Sequence, residues 1–101
     1  MAISLHEQAR KSLAAVPEEY VFWCRDGRVL RNMKDLAKAL EIMSDETFSY
    51  HSNAEKNDFA NWTRDVIKDE KLAKDLTKAK NRAQAAKLVH DREASLTARL
   101  A

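Results

Sequence analysis

The stretch from Phe48 to Trp62 decides the fold more than any other part of the chain, and it reads F-S-Y-H-S-N-A-E-K-N-D-F-A-N-W. It contains four of the seven aromatic residues, together with a histidine and three asparagines. Each aromatic ring buries on the order of 150–250 Å² when it is packed. A segment this rich in rings must therefore face a core or a partner, and its polar residues are expected to cap helices, to satisfy the core or to contact a ligand.

The composition around this stretch is typical of a small helical protein. The 101 residues are 45% hydrophobic and 34% charged, which excludes a disordered tail and suits one domain. Only one glycine, Gly27, and one proline, Pro17, occur, whereas sheet-rich folds need many turns built from these residues. The sequence predicts a mostly α fold: a small single-domain helical bundle of five or six short helices with one β-hairpin at about 20–31.

The hairpin prediction rests on two short apolar runs with a turn signal between them. Tyr20 to Cys24 is a β-branched and aromatic run, and Val29-Leu30 is the second. Asp26-Gly27 lies between them, and an Asp-Gly pair favours a type I′ turn because both of its central positions need a positive φ.

Helical periodicity covers most of the remaining chain. It predicts a first helix over 3–16, whose apolar stripe is Leu5, Ala9, Leu13 and Val16, and a last helix over 81–98 whose stripe weakens past His90. Between them it predicts a helix capped by Asn32, a short one capped by Ser44, one beginning near Asn57 and one capped by Asp69. The residues expected to be mostly buried are Phe22, Leu36, Leu40, Phe48, Phe59, Trp62, Val66 and Leu72.

Four motifs give residues 20–78 a family resemblance. They are D-G-R at Asp26–Arg28, M-S-D at Met43–Asp45, Y-H at Tyr50-His51 and N-D-F-x-N-W at Asn57–Trp62. Together they resemble a small domain family of unknown function found in archaea and bacteria, and the resemblance implies no activity, cofactor or partner. The chain has Lys68 where such sequences are expected to have a glycine at a left-handed helix C-cap. With lysine there, either the turn is strained or the two helices partly merge.

Candidate catalytic and metal-binding residues are few. His51 lies near Asn53, Glu55, Asn57 and Asp58, but a zinc or iron site needs several His, Cys or carboxylate ligands. The alternative is structural: a buried, hydrogen-bonded His51 beside a helix cap at Asn57 or Asp58. Cys24, the single cysteine, lies in an apolar run, where a thiol is usually a packing group. We therefore predict no catalytic residue, no cofactor and no metal, and a protein that is not an enzyme.

Two kinds of partner stay open. The leading expectation is a non-enzymatic interaction or accessory protein that binds another protein or itself, with a homodimer formed through the terminal helices; these helices could equally dock on their own domain. The alternative is a nucleic-acid-associated protein that uses a basic face around the hairpin, formed by Arg25, Arg28, Arg31, Lys34 and Lys38. These residues could also be a solvated face of ion pairs, because Asp26, Asp35 and Glu41 interleave with them and the net charge is only +2.

The sequence also favours a cytoplasmic protein without a membrane partner. No apolar run approaches the roughly 18 residues that cross a bilayer, and the first residues lack the apolar region of a secretory signal.

Overall fold

Six α-helices and one β-hairpin make up the computed structural model, which describes residues 4–101. The helices are α1 (Leu5–Leu13), α2 (Met33–Ile42), α3 (Asp45–His51), α4 (Asp58–Trp62), α5 (Glu70–Lys78) and α6 (Arg82–Ala98). The hairpin pairs β1 (Phe22–Trp23) with β2 (Val29–Leu30) in antiparallel register. A 3₁₀ turn (Glu18–Tyr20) precedes β1, and a π-helical segment (Thr63–Ile67) continues α4. The predicted mostly helical bundle with one hairpin is confirmed.

Side-chain caps set where the helices begin. The residue before each of the six helices is Ser, Asn or Asp, and its side-chain oxygen accepts the backbone N–H three residues later. The caps are Ser4, Asn32, Ser44, Asn57, Asp69 and Asn81. Each cap satisfies one of the N–H groups that a helix leaves unpaired, and is typically worth about 1 kcal/mol. A chain with a single glycine therefore marks its helix boundaries with short polar side chains.

The core lies between α2 and α6, with the aromatic stretch packed beside them. Leu36 and Leu40 of α2 and Val89 and Leu96 of α6 have no accessible surface. The ring of Phe22, on the inner face of the hairpin, contacts three more rings, all from the stretch between Phe48 and Trp62. These are His51, Phe59 and Trp62, with centroids 5.1, 5.2 and 5.7 Å away. A two-stranded hairpin is marginal by itself, and these contacts hold it on the helices.

Seven of the eight residues expected to be mostly buried lie in the core, and Val66 is partly buried against it. The prediction placed it on one face with Phe59, Trp62 and Ile67, assuming a continuous α-helix. From Thr63 onward the helix has the wider π geometry, which moves Val66 away from that face. Ile67 is buried as that face requires, and Thr63 is buried as well.

The predicted first helix over 3–16 is too long. Within the described residues α1 ends at Leu13, and Ala14 is already extended, while residue 3 lies outside residues 4–101. Val16 then donates its backbone N–H to the carbonyl of Arg31 at 2.8 Å. This bond adds the segment before Pro17 to the base of the hairpin, which explains why the helix stops before the proline.

The predicted type I′ turn is also wrong. Cys24 donates its N–H to the Arg28 carbonyl and accepts the N–H of Gly27, both at 2.9 Å, so the loop has three residues, Arg25 to Gly27. Gly27 alone has a positive φ in this loop, at +96°, as in a type I turn closed by a glycine bulge. Arg25 joins the loop because its N–H bonds to His51 instead of to the opposite strand.

Lys68 has the left-handed conformation that the sequence predicted for a glycine, with φ +70° and ψ +33°. It ends the π-helical segment, and the N–H groups of Lys68 and Asp69 both donate to the Thr63 carbonyl. The helices on either side of Lys68 therefore stay separate. A lysine at this position costs about 1 kcal/mol relative to a glycine.

The last helix does not fray at the point where its apolar stripe weakens. α6 runs unbroken to Ala98, and Leu96 is fully buried. Arg92, which interrupts the stripe, forms an ion pair with the buried Asp69 at 2.8 Å. The charged residue is accommodated because the same carboxylate caps α5 and needs a positive partner.

Candidate interaction surface around the hairpin

His51 ties the hairpin to the helices beneath it. It is 5% exposed, and its Nε2 accepts the backbone N–H of Arg25 at 3.0 Å. Its Nδ1 lies 3.0 Å from Oδ2 of Asp58, the first residue of α4. Because Nε2 must accept, the proton lies on Nδ1 and is donated to the carboxylate. His51 thus forms the hydrogen bonds within the domain that the structural alternative predicted.

Asp58 and Asn57 complete this connection. Burial by itself raises the pKa of Asp58, but the hydrogen bonds from His51 and Lys56 outweigh it and leave the pKa below its usual value. Asn57 caps α4 with its side-chain oxygen and donates its amide N–H to the Leu76 carbonyl at 3.1 Å. The polar residues of the aromatic stretch therefore join α3, α4, α5 and the hairpin turn.

The two side chains with the greatest chemical potential are both engaged. Burial raises the pKa of the Cys24 thiol, and the neighbouring Asp26 side chain raises it further, against the opposing backbone hydrogen bonds of Asp26 and Arg25. A thiol held protonated is a poor nucleophile. His51 has no free ring nitrogen, because one donates to Asp58 and the other accepts from Arg25. Neither residue is placed to activate the other.

Possible metal ligands are likewise dispersed. Within residues 4–101, no group of three or more His, Cys, Asp or Glu residues is close enough to hold a metal ion. His51 and Asp58 are adjacent, yet Lys56 Nζ also lies 3.0 Å from the Asp58 oxygen that His51 contacts. Among the described residues, Asp58 is the only carboxylate that His51 contacts, and the ammonium group of Lys56 already pairs with it.

The outer face of the hairpin carries the most exposed aromatic side chain in the described residues. Trp23 is 70% exposed, although its neighbour Phe22 is buried, because successive residues of a strand point to opposite faces. Trp23 pairs with Val29 across the strands, so the two side chains share this outer face. Tyr20, just before β1, is exposed as well.

Arg25 lies beside this face in a fixed position. Its guanidinium carbon is 4.3 Å from the centre of the Tyr50 ring, and Lys56 Nζ is 4.7 Å from the same centre. Both distances are within the range of cation–π attraction, of about 0.5–1 kcal/mol at an exposed site. The backbone of Arg25 is held by His51, so both parts of the residue are oriented. We call Trp23, Arg25, Val29 and Arg31 the hairpin surface.

Of the five basic residues predicted to form one face, two have a carboxylate partner in the described residues and three do not. Arg28 is occupied by Asp26, whose carboxylate accepts both its backbone N–H and its Nε. These bonds lower the pKa of Asp26 although burial opposes them. Arg31 meets only Glu18, at 3.7 Å between two exposed side chains, which is worth little. The remaining members, Arg25, Lys34 and Lys38, are exposed and have no ion-pair partner within residues 4–101.

The terminal helices contribute less exposed apolar surface than the sequence suggested. Ala9 is fully buried, and Leu13, Val16 and Leu100 pack against the core of the same chain. Leu5 alone of the first stripe stays exposed, at 65%. The apolar surface that was expected to form a dimer is thus mostly used inside the domain.

Trp23 was not singled out from the sequence as a candidate binding residue. The prediction treated it as one member of the apolar run Tyr20 to Cys24. Strand alternation could have singled it out: with Phe22 and Cys24 pointing inward, Trp23 between them must point outward. The contact between Arg25 and Tyr50 had no signal in the sequence, because it joins residues twenty-five positions apart.

Comparisons with protein-family models, curated proteins and solved structures each find no match to this chain. The resemblance of residues 20–78 to a family of unknown function stays a prediction. Each helix within residues 4–101 is too short or too polar to span a bilayer.

Proposed function

We propose that this chain is a small non-enzymatic binding protein that contacts its partner through the hairpin surface. The observation that carries the proposal is the 70% exposure of Trp23 on a strand whose other residue is buried. Tryptophan and arginine are the residues most often found at the energetic centre of interfaces. A partner that covers an exposed indole removes apolar surface from water, which favours binding.

The way the hairpin is held supports the same proposal. Phe22 fixes it from below, His51 bonds the Arg25 backbone, and Trp62 donates its indole N–H to the Tyr20 carbonyl at 2.8 Å. A surface that is already ordered loses little conformational entropy when a partner binds. Trp23 itself has only two side-chain torsions, so it provides a large contact at a small entropic cost.

The engagement of Cys24 and His51 supports a role without catalysis. A nucleophile needs an adjacent base with a free lone pair, and His51 uses its lone pair for the Arg25 N–H. Self-association through the terminal helices has less support, since Ala9 and Leu96 are buried within the chain.

Site-specific photo-cross-linking in living cells tests the proposal. The photoreactive residue benzoylphenylalanine is placed at position 23, where it replaces an exposed aromatic side chain, and separately at position 74. Lys74 is an exposed residue of α5 and serves as the matched control. We expect discrete adducts from position 23 and none of the same adducts from position 74. Equal adducts from both positions, or none from position 23, would overturn the proposal.

A further inference from the structure

We propose that the hairpin surface binds single-stranded nucleic acid, with a base stacked on Trp23 and phosphates contacted by Arg25 and Arg31. This inference rests on the proposed function, since it identifies the partner of the same surface. Three features of the described residues carry it: the exposed face of Trp23, an arginine at each end of the Trp23–Val29 pair, and two exposed lysines on the helix that follows Arg31.

The aromatic face is Trp23. Its exposed indole lies on the outer side of a strand, with the smaller Val29 opposite it. Every nucleic-acid base has a flat face that can stack on such a ring, and one stack contributes about 1–3 kcal/mol. Duplex bases are already stacked on their neighbours, so an isolated indole on a strand can reach only unpaired bases.

The cations flank Trp23 along the direction of the strand. Arg25 lies two residues beyond Trp23, and Arg31 lies two residues beyond its partner Val29, at the other end of the hairpin. Arg25 follows β1 at the loop end of the hairpin and Arg31 follows β2 at its open end, so the two arginines lie at opposite ends of the Trp23–Val29 pair. Arg25 has no carboxylate partner among residues 4–101, and Arg31 has only the weak contact with Glu18. Both guanidinium groups are therefore available to phosphate oxygens.

The lysines nearby favour nucleic acid over an acidic protein. Lys34 and Lys38 are exposed one turn apart on α2, the helix that follows Arg31 in the chain, and neither has an ion-pair partner in the described residues. Lysine is depleted from protein–protein interfaces but is a regular contact of phosphate backbones. Of the nearby carboxylates, Asp26 forms an ion pair with Arg28, and Asp35 accepts the backbone N–H of Arg31.

Fluorescence anisotropy with a labelled thymidine oligonucleotide of about twelve residues, within the usual range of single-strand sites, tests the inference. The full chain is compared with Trp23→Ala, Trp23→Phe, Arg25→Ala and the control Lys74→Ala. We expect Trp23→Ala to weaken binding about tenfold or more, and Trp23→Phe to recover part of the loss because it can still stack. Arg25→Ala should weaken binding and reduce the slope of log affinity against log salt by about 0.7, as for one lost phosphate contact. Lys74→Ala should bind like the unaltered chain.

Three further measurements define the contrary outcomes. The same sequence as a duplex should bind more weakly than the single strand, and equal binding would overturn the inference. Binding that is absent, or that is insensitive to Trp23→Ala, would also overturn it. A polyglutamate peptide and the chain itself at high concentration are the other two probes. If either associates in a Trp23-dependent way while the oligonucleotide does not, the inference fails and the proposed function stands.

Discussion

Phe22 and Trp23 are neighbours in one two-residue strand, yet they belong to different parts of the molecule. Phe22 lies against three aromatic rings of the helices and is 9% exposed, whereas Trp23 on the opposite face is 70% exposed. The inner face of the hairpin packs on the helices, whereas the outer face is exposed. Strand alternation alone therefore turns one side of the hairpin to the core and leaves the other exposed.

The largest expected effect comes from truncating the two rings one at a time. Phe22→Ala should lower the free energy of unfolding by about 3–5 kcal/mol, because it leaves a cavity among Phe59, His51 and Trp62. Trp23→Ala should change it by no more than about 0.5 kcal/mol. Urea denaturation followed by far-ultraviolet circular dichroism measures both. Similar losses in the two variants would show that the faces are not separate.

Removing the His51 side chain, which connects the hairpin loop to α4, should have the next largest effect. His51→Leu keeps the apolar contact with Phe22 but leaves the Arg25 N–H without its acceptor, and leaves the Asp58 carboxylate with Lys56 alone. An unsatisfied buried group costs about 1–3 kcal/mol, so a loss of that order is expected in the same denaturation assay. His90→Leu, at an exposed position of α6, is the control and should change stability little. A neutral His51→Leu would mean that ring packing alone holds the hairpin.

Two residues with positive φ should respond in opposite directions. No atom lies within 4 Å of a Cβ built on Gly27, so Gly27→Ala should cost about 1 kcal/mol through backbone strain alone. Lys68→Gly should gain up to about 1 kcal/mol, because it relieves the strain of a left-handed lysine. Thermal unfolding of both variants checks this. If they shift the melting temperature in the same direction, the hairpin loop and the helix junction do not have the backbone geometries described above.

The smallest expected effect is a change in how stability depends on acidic pH. The pKa of Asp58 is lowered in the folded chain, so its contribution to stability is complete above the unfolded value of about 4 and is lost as the pH falls through the folded value. The difference in unfolding free energy between Asp58→Asn and the unaltered chain should therefore become smaller as the pH falls below about 4. Urea denaturation at pH 7 and at acidic pH gives the two differences. A difference that is constant with pH would contradict the pairing of Asp58 with His51 and Lys56.

The features of the fold that could be predicted from the sequence are those that depend on residues close together in the chain. Ser44, Asn57 and Asp69 cap helices as expected, because a cap depends on residues only three positions apart. The turn type at Gly27 was mispredicted because a tertiary contact decides it: His51 takes the Arg25 N–H.

The candidate site was only partly predictable, for the same reason. The basic residues were visible in the sequence, but their availability depends on which carboxylates fold against them. Asp26 occupies Arg28, whereas Tyr50 orients Arg25 and leaves it without a carboxylate partner in the described residues. The exposure of Trp23 follows from its register, which required knowing that Phe22 points inward.

The two tryptophans provide the most direct measurement of the central claim, that the outer face of the hairpin binds while the inner face only supports it. Each indole N–H gives its own signal in a nitrogen–proton correlation spectrum, assigned with Trp23→Phe. Adding the thymidine oligonucleotide should shift the exposed Trp23 signal and leave the Trp62 signal, whose N–H is bonded to the Tyr20 carbonyl, in place. A shift of Trp62 alone, equal shifts of both signals, or no shift in either would contradict the account.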